Sequence, residues 1–346
     1  TQMKATGEVM AIEHHLTSGL QKAIRSLELD VDGVTLTDLQ TQSTAELQKL
    51  VLNVDDRRFF VILELLRRGV ALEQIEKTTK IDRYFLNEMA TLVQLEQEAK
   101  QAQLNSVTVD QLIAFKQAGF MNRWLAKVWN STEQEVKAKL TAAGIHLTYE
   151  KINAFTEDIE EEASYYYSVW QMNAAEKQSS TKREKVLIIG SGPIRIGQGV
   201  EFDYCSVQGI KALEKAGYET VLINNNPATV STDYEVADTL YFEPITIEDV
   251  LHVMEYEQIE KVIVQFGGQT AINLVKDLEA AGITLLGTNQ DTIDMLEDRE
   301  RFYQYVQQIG VPHIPGLTAI SAEDLRQKAQ QIGYPVLSRP SYVIGG

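Results

Sequence analysis

A chain of 346 residues that is 44% hydrophobic is long enough for two or so domains with real cores. Its 32 basic and 49 acidic residues leave a formal charge of -17. That balance repels phosphate backbones and anionic membranes, so nucleic-acid and membrane partners are disfavoured and any anionic ligand needs a locally basic site.

The single cysteine, Cys205, excludes an internal disulfide and fits a reducing, cytoplasmic location. It reads as a small buried hydrophobe at a helix start. No run approaches the roughly 18 apolar residues of a membrane helix, and no basic-then-apolar leader opens the chain. The first residue is Thr1 rather than methionine and the last, Gly346, falls inside a glycine turn, so the chain is expected to be an excised piece of something longer.

From Asp56 to about Ala143 the periodicity predicts short amphipathic helices and no strand, with Phe59, Phe60, Leu63 and Leu66 forming one stripe and Leu86, Met89, Leu92, Val93 and Leu95 another. Capping boxes at Thr108-x-x-Gln111 and Ser131-x-x-Gln134 mark helix starts, and Gly69, Gly119 and Gly144 mark stops. The acidic run 157–162 reads as a solvated helix face beside the seam-packing aromatics Tyr165, Tyr166, Tyr167 and Trp170. With the stripes, this cluster is expected to drive self-association. Residues 174–184 are polar and linker-like.

Beyond the linker, strand candidates at 185–190, 219–224, 238–242, 261–265 and 283–287 alternate with helices, the pattern of a doubly wound parallel sheet. Thr246, three residues before Asp249, caps one crossover helix, and Gly267-Gly-Gln-Thr270 begins another. Ligands of such sheets sit at the strands' carboxyl ends, here 190–192, 224–226, 243–244, 265–269 and 287–288. A helix near Arg301 and a strand over 334–339 then begin a further unit.

The stretch Lys185-Val-Leu-Ile-Ile-Gly-Ser-Gly-Pro-Ile-Arg-Ile-Gly-Gln-Gly199 reads as a buried strand breaking into a glycine turn that opens a helix. Gly192 and Gly197 have Walker-A separation, but Gln198 and Gly199 replace its lysine and hydroxyl residue. Arg195 stands where a dinucleotide fingerprint needs its third glycine, and the next strand ends in asparagines instead of the ribose-binding acid. The turn is therefore expected to shape an interface or channel mouth. His14, His15, His146, His252 and His313 show no metal-ligand spacing, and no nucleophile elbow is present. Arg299 and Arg301 alternate with acids, as in a salt-bridged exposed helix start. Arg339 ends an apolar strand beside a glycine turn, where a guanidinium needs an anionic partner.

Gly192-Pro-Ile-Arg-Ile-Gly-Gln-Gly-Val-Glu-Phe-Asp-Tyr204, Val230-Ser-Thr-Asp-Tyr234, Leu240-Tyr-Phe-Glu-Pro244, Val262-Ile-Val-Gln-Phe-Gly-Gly-Gln-Thr270, Glu297-Asp-Arg-Glu-Arg-Phe302 and Arg339-Pro-Ser-Tyr-Val-Ile-Gly-Gly346 together resemble the large subunit of carbamoyl-phosphate synthase. Thr6-Gly-Glu-Val-Met-Ala-Ile12 and Leu20-Gln-Lys-Ala-Ile-Arg-Ser-Leu27 resemble the end of that subunit's first half, and Ile81-Asp-Arg-Tyr-Phe-Leu86 its helical oligomerisation domain.

The resemblance implies a multidomain chain: an all-α helical domain, an open parallel-sheet pre-ATP-grasp domain of Rossmann-like type, and the truncated start of an ATP-grasp domain. The corresponding boundaries are 1–30 for the tail of the first half, 31–173 for the helical domain, 174–184 for the linker, 185–298 for the sheet and 299–346 for the ATP-grasp start. It implies an ATP-dependent ligase that uses bicarbonate, glutamine-derived ammonia and two ATP, with a small glutaminase subunit and further copies as partners. Arg299 and Arg339 correspond to ATP-contacting arginines of the carbamate-phosphorylating half, and Gly345 and Gly346 to the start of a loop over the phosphates. Magnesium or manganese ligands are expected beyond Gly346, and no catalytic or metal-binding residue within the chain. Ala228, Leu337-Ser338 and the 153–162 segment depart from the family pattern, which keeps a divergent paralogue open beside a purely assembling helical module.

Overall fold

The computed structural model describes residues 7–29, 31, 33–152, 165–173, 183–195, 198–199, 201–233 and 235–338. Its first half is a layer of helices, chiefly Leu16–Ser26, Thr44–Leu50, Arg58–Arg67, Leu72–Thr79, Arg83–Gln101, Val109–Gln117, Asn122–Val128 and Glu133–Ala142. The expected stripes close one core, in which Phe60, Leu63, Leu86, Leu92 and Val93 meet Leu112, Phe115 and Leu125. Each such fully buried side chain contributes about 1.5–3 kcal/mol of transfer free energy. Gly69, Gly119 and Gly144 end their helices at φ of 74, 94 and 69°, a conformation that carries no Cβ penalty in glycine.

Among the described residues seven strands follow: β1 (Ile145–Lys151), β2 (Tyr165–Met172), β3 (Lys185–Ile189), β4 (Glu219–Asn224), β5 (Thr239–Phe242), β6 (Lys261–Ile263) and β7 (Thr284–Leu285). They form one sheet in the order β1-β2-β5-β4-β3-β6-β7. Only the β1–β2 pair is antiparallel; from β2 onward every neighbour is parallel. Leu187, Ile189, Val221 and Ile223 face a core shared with Val250, Val253, Val275 and Leu278, while Ile188 and Leu222 face Ile210 and Phe242 on the other side. Both faces are thus covered by crossover helices, which is why β3 and β4 are apolar without alternation.

Several expectations are corrected. The stretch 31–173 is not helical throughout, because 145–151 and 165–172 pair as a hairpin and add to the sheet edge. Ile145, Leu147 and Tyr149 alternate with polar residues, the period of a strand. The aromatics near 165 pack within the sheet, as the seam reading expects: Tyr165 meets Phe242 and Tyr166 meets Tyr241 at ring distances of 5.2 and 5.6 Å. The capping box sits one residue later than expected, on Thr132 and Glu135. Cys205 is exposed. Residues 334–338 form no strand and lie exposed, since no described strand flanks them. The acidic run 157–162 and linker residues 174–182 lie outside the described residues. No helix among the described residues is long and apolar enough to cross a membrane.

Candidate functional site

β3 lies between β4 and β6, and the connections leaving β3 and β6 diverge to opposite edges of the sheet. A crevice therefore opens at their carboxyl ends. The loops there nearly touch: a Cβ on Gly267 would lie 2.5 Å from the Gly190 carbonyl oxygen, so no larger residue fits.

Asn224 holds the turn together, its Oδ1 accepting from the backbone N–H of Gly192 at 3.1 Å and of Asn225 at 2.9 Å. Asn226 Nδ2 donates back to the Gly192 carbonyl at 3.2 Å. The helix beyond the turn begins at Glu201 and carries Glu201 and Asp203 in its first turn. Asp203, 5% exposed, accepts from the backbone N–H of Val230 and Ser231 at 2.7 and 3.1 Å. Carboxylates thus occupy the positive helix end where a phosphate would otherwise dock. Ile196, Gly197 and Val200 lie outside the described residues.

The chain's own amino-terminal segment covers this turn. A Cβ on Gly7 would sit 2.5 Å from Ile194 N, Met10 N–H donates to the Asn225 carbonyl at 2.8 Å, and Arg195 pairs with Glu28. Lys22 anchors the segment. Its buried Nζ donates to the Ile12 carbonyl at 3.1 Å, Ser168 Oγ at 3.0 Å and Glu243 Oε1 at 3.0 Å, and pairs with Glu13 at 2.8 Å. Burial pushes the Glu243 carboxyl upward, and the Lys22 ammonium opposes that shift.

A second charged layer joins helices to sheet. Lys116, 2% exposed, donates to the Phe120 carbonyl at 2.7 Å and Asn122 Oδ1 at 2.8 Å. It lies 4.3 Å above the Trp170 ring and 3.8 Å from the Glu248 carboxylate. Burial lowers its pKa to about 8. Glu248 accepts from the backbone N–H of Asn122 and Arg123 at 2.8 and 3.2 Å, and Arg25 Nε stands 3.5 Å from Asp249 Oδ2. Sequence reasoning missed Lys22 and Lys116, whose one signal is a charge set among buried apolar neighbours.

Of the expected ATP contacts, Arg299 is half-buried in the first turn of Arg299–Gln308. Asp298 caps that helix by accepting from the Arg301 N–H at 2.9 Å. Neither the Arg299 nor the Arg301 side chain makes an ion pair or hydrogen bond among the described residues, which corrects the salt-bridged reading. Arg339, Gly345 and Gly346 lie outside the described residues. His14 Nε2 sits 2.8 Å from Glu150 and 3.0 Å from Tyr167, and His252 packs edge-on to Trp170 with its pKa lowered by burial. Among the described residues no three metal-ligating side chains converge.

Comparison with known proteins gives a consistent answer along the chain. The family model of the carbamoyl-phosphate synthetase large chain oligomerisation domain matches residues 8–144, that of the carbamoyl phosphate synthase preATP-grasp domain 182–295, and that of the carbamoyl-phosphate synthase L chain ATP binding domain 298–346. The chain is similar over all 346 residues to carbamoyl phosphate synthase arginine-specific large chains: 54% identical to that of Halalkalibacterium halodurans, 56% to that of Geobacillus stearothermophilus and 47% to that of Bacillus subtilis. It covers 33%, 33% and 34% of those relatives, so it spans about a third of their length.

Proposed function

The chain belongs to the carbamoyl phosphate synthase large-chain family, and from that membership we propose that it serves in an ATP-dependent ligase that makes carbamoyl phosphate from bicarbonate, glutamine-derived ammonia and two ATP. The observation that carries this reading is the ordered succession of three matched domains, with similarity to the relatives that extends over all 346 residues. In it, residues 1–30 close the first synthetase half, 31–173 mediate assembly, 185–298 form the pre-ATP-grasp unit and 299–346 begin the ATP-grasp unit that phosphorylates carbamate. A small glutaminase subunit supplies ammonia, and further copies associate through the helical part. Relatives named arginine-specific favour arginine over pyrimidine synthesis.

Arg299 and Arg339 hold phosphate oxygens of ATP, and Gly345 with Gly346 start the loop above them. The unpaired, half-buried guanidinium of Arg299 supports its share of that role, since a charge-assisted bond to phosphate satisfies donors the protein leaves open. Magnesium or manganese, when bound, would supply positive charge to neutralise the transferring phosphates. No converging ligand set for it occurs among the described residues, so no step is assigned through the metal. The purely assembling reading is favoured by the oligomerisation-domain match over 8–144. Following ADP formation from ATP and carbamate in the intact protein, with and without Arg299→Ala, tests the catalytic reading. Unchanged turnover and ATP affinity would overturn the role of Arg299.

A further inference from the structure

Between the helical layer and the carboxyl edge of the sheet lies a cleft of about 670 Å³, well inside the size range of small-molecule sites. Both layers build it. Ile24 and Trp124 come from the helices, and Ile247 and Leu274 from the α/β unit, giving apolar walls. Arg123, Glu133 and Asp277 are exposed at its lining. None of these three side chains makes a hydrogen bond or ion pair among the described residues.

On the same lining Arg25 is engaged within the protein: it directs Nη1 to the Gly119 carbonyl at 3.1 Å, and its buried Nε faces Asp249 Oδ2 at 3.5 Å. Trp124, 9% exposed, adds its ring to the apolar wall. The remaining charges are already engaged: Glu28 pairs with Arg195, Glu248 accepts two backbone N–H groups, and Lys127 has a partner of its own.

The free charges are of both signs, and they stand near one another without pairing. Desolvation, then the Glu248 and Asp277 carboxylates, raise the pKa of Glu133, while Arg123 opposes the shift. A purely anionic ligand would meet Glu133 and Asp277, and a purely cationic one would meet the Arg123 guanidinium. A ligand carrying both charges on an apolar body satisfies all of them.

We propose that this cleft binds a small zwitterion of the apolar α-amino-acid class, with its carboxylate against Arg123, its ammonium against Glu133 and Asp277, and its side chain on Trp124 and Leu274. Arg299 is not among the residues that line the cleft, so occupancy of the cleft is read by binding rather than by turnover.

Calorimetric titration of the intact protein with L-phenylalanine, N-acetyl-L-phenylalanine and L-phenylalaninamide tests the assignment, because each analogue lacks one of the two charges. Phenylalanine is expected to bind, and each analogue to bind about tenfold more weakly or worse, the effect of losing one charge-assisted contact. Arg123→Gln and Glu133→Gln alter exposed side chains with no partners to lose, so folding is retained. Each should weaken phenylalanine by about tenfold. No binding of phenylalanine, equal binding of the three probes, or binding indifferent to both substitutions would overturn the proposal.

Discussion

Lys22 and Glu243 stand 221 positions apart in the chain and 3.0 Å apart in the fold, each about 1% exposed. The pair ties the helix Leu16–Ser26 to the residue that follows β5. With Glu13 and Ser168 as further partners of Lys22, the contact locks the amino-terminal segment over the glycine turn. A ligand crevice of the ordinary doubly wound kind is filled here by the protein itself.

Breaking that lock should be costly. Lys22→Met leaves Glu243 buried beside no cation, and removing one partner of a buried pair destabilises by about 3–5 kcal/mol. Adding Glu243→Gln should recover part of the loss. A thermal double-mutant cycle checks this, and additive losses would show that the two side chains do not act as a pair.

Lys116 gives the interface a pH signature. Burial holds its pKa at about 8, below the ordinary lysine value of 10.5, so between those two values the unfolded chain carries the proton and the folded chain does not. Stability therefore rises with pH across that window. Below pH 8 the folded protein bears the full penalty of the buried ammonium, on the order of 3 kcal/mol. Comparing denaturant unfolding of the protein and its Lys116→Met variant from pH 7 to 10 isolates the effect. Parallel pH profiles would remove Lys116 as its source.

The helix Glu133–Ala142 starts from Thr132, which accepts from the Glu135 N–H at 3.2 Å while Glu135 accepts from the Thr132 N–H at 2.9 Å. Thr132→Ala should cost about 1 kcal/mol, and Ser131→Ala much less, as read by the thermal midpoint. Equal effects would argue against this register.

The parallel strands were legible because β3 and β4 are covered on both faces and read as unbroken apolar runs. The hairpin was not. Its first strand follows directly on a helix, and its alternation is too short to stand out against helical periodicity. Lys22 and Lys116 were illegible for a different reason, since partners such as Glu243 and Glu248 lie more than a hundred residues away. Arg299 shows how a local pattern misleads. Asp298 and Glu300 flank it in sequence, but neighbours one residue apart on a helix do not face each other, and the guanidinium stays unpaired.

The glycine turn should ignore nucleotide. Its Gly192 N–H is already bonded to Asn224, and Asp203 guards the helix end, so ATP with magnesium should leave hydrogen exchange of the 190–199 amides unchanged. Protection of those amides on adding ATP would reinstate the turn as a phosphate site.

Arg299 and Arg339, proposed to hold phosphate, carry the last prediction. In the intact protein, Arg299→Ala and Arg339→Ala should each weaken ATP by about 1.5–3 kcal/mol, the worth of a charge-assisted bond to an ionised group. Carbamate phosphorylation should fall in step. The 346-residue chain taken by itself should show no ATP turnover, because an arginine can hold a phosphate but cannot replace ions that bridge and neutralise the transferring group. Among its described residues no three metal-ligating side chains converge to supply such ions. ADP release from the purified chain with magnesium and carbamate is the direct measurement. Steady turnover there would mean that a catalytic constellation lies within these residues, and Arg299, the unpaired half-buried guanidinium, would be the first place to look for it.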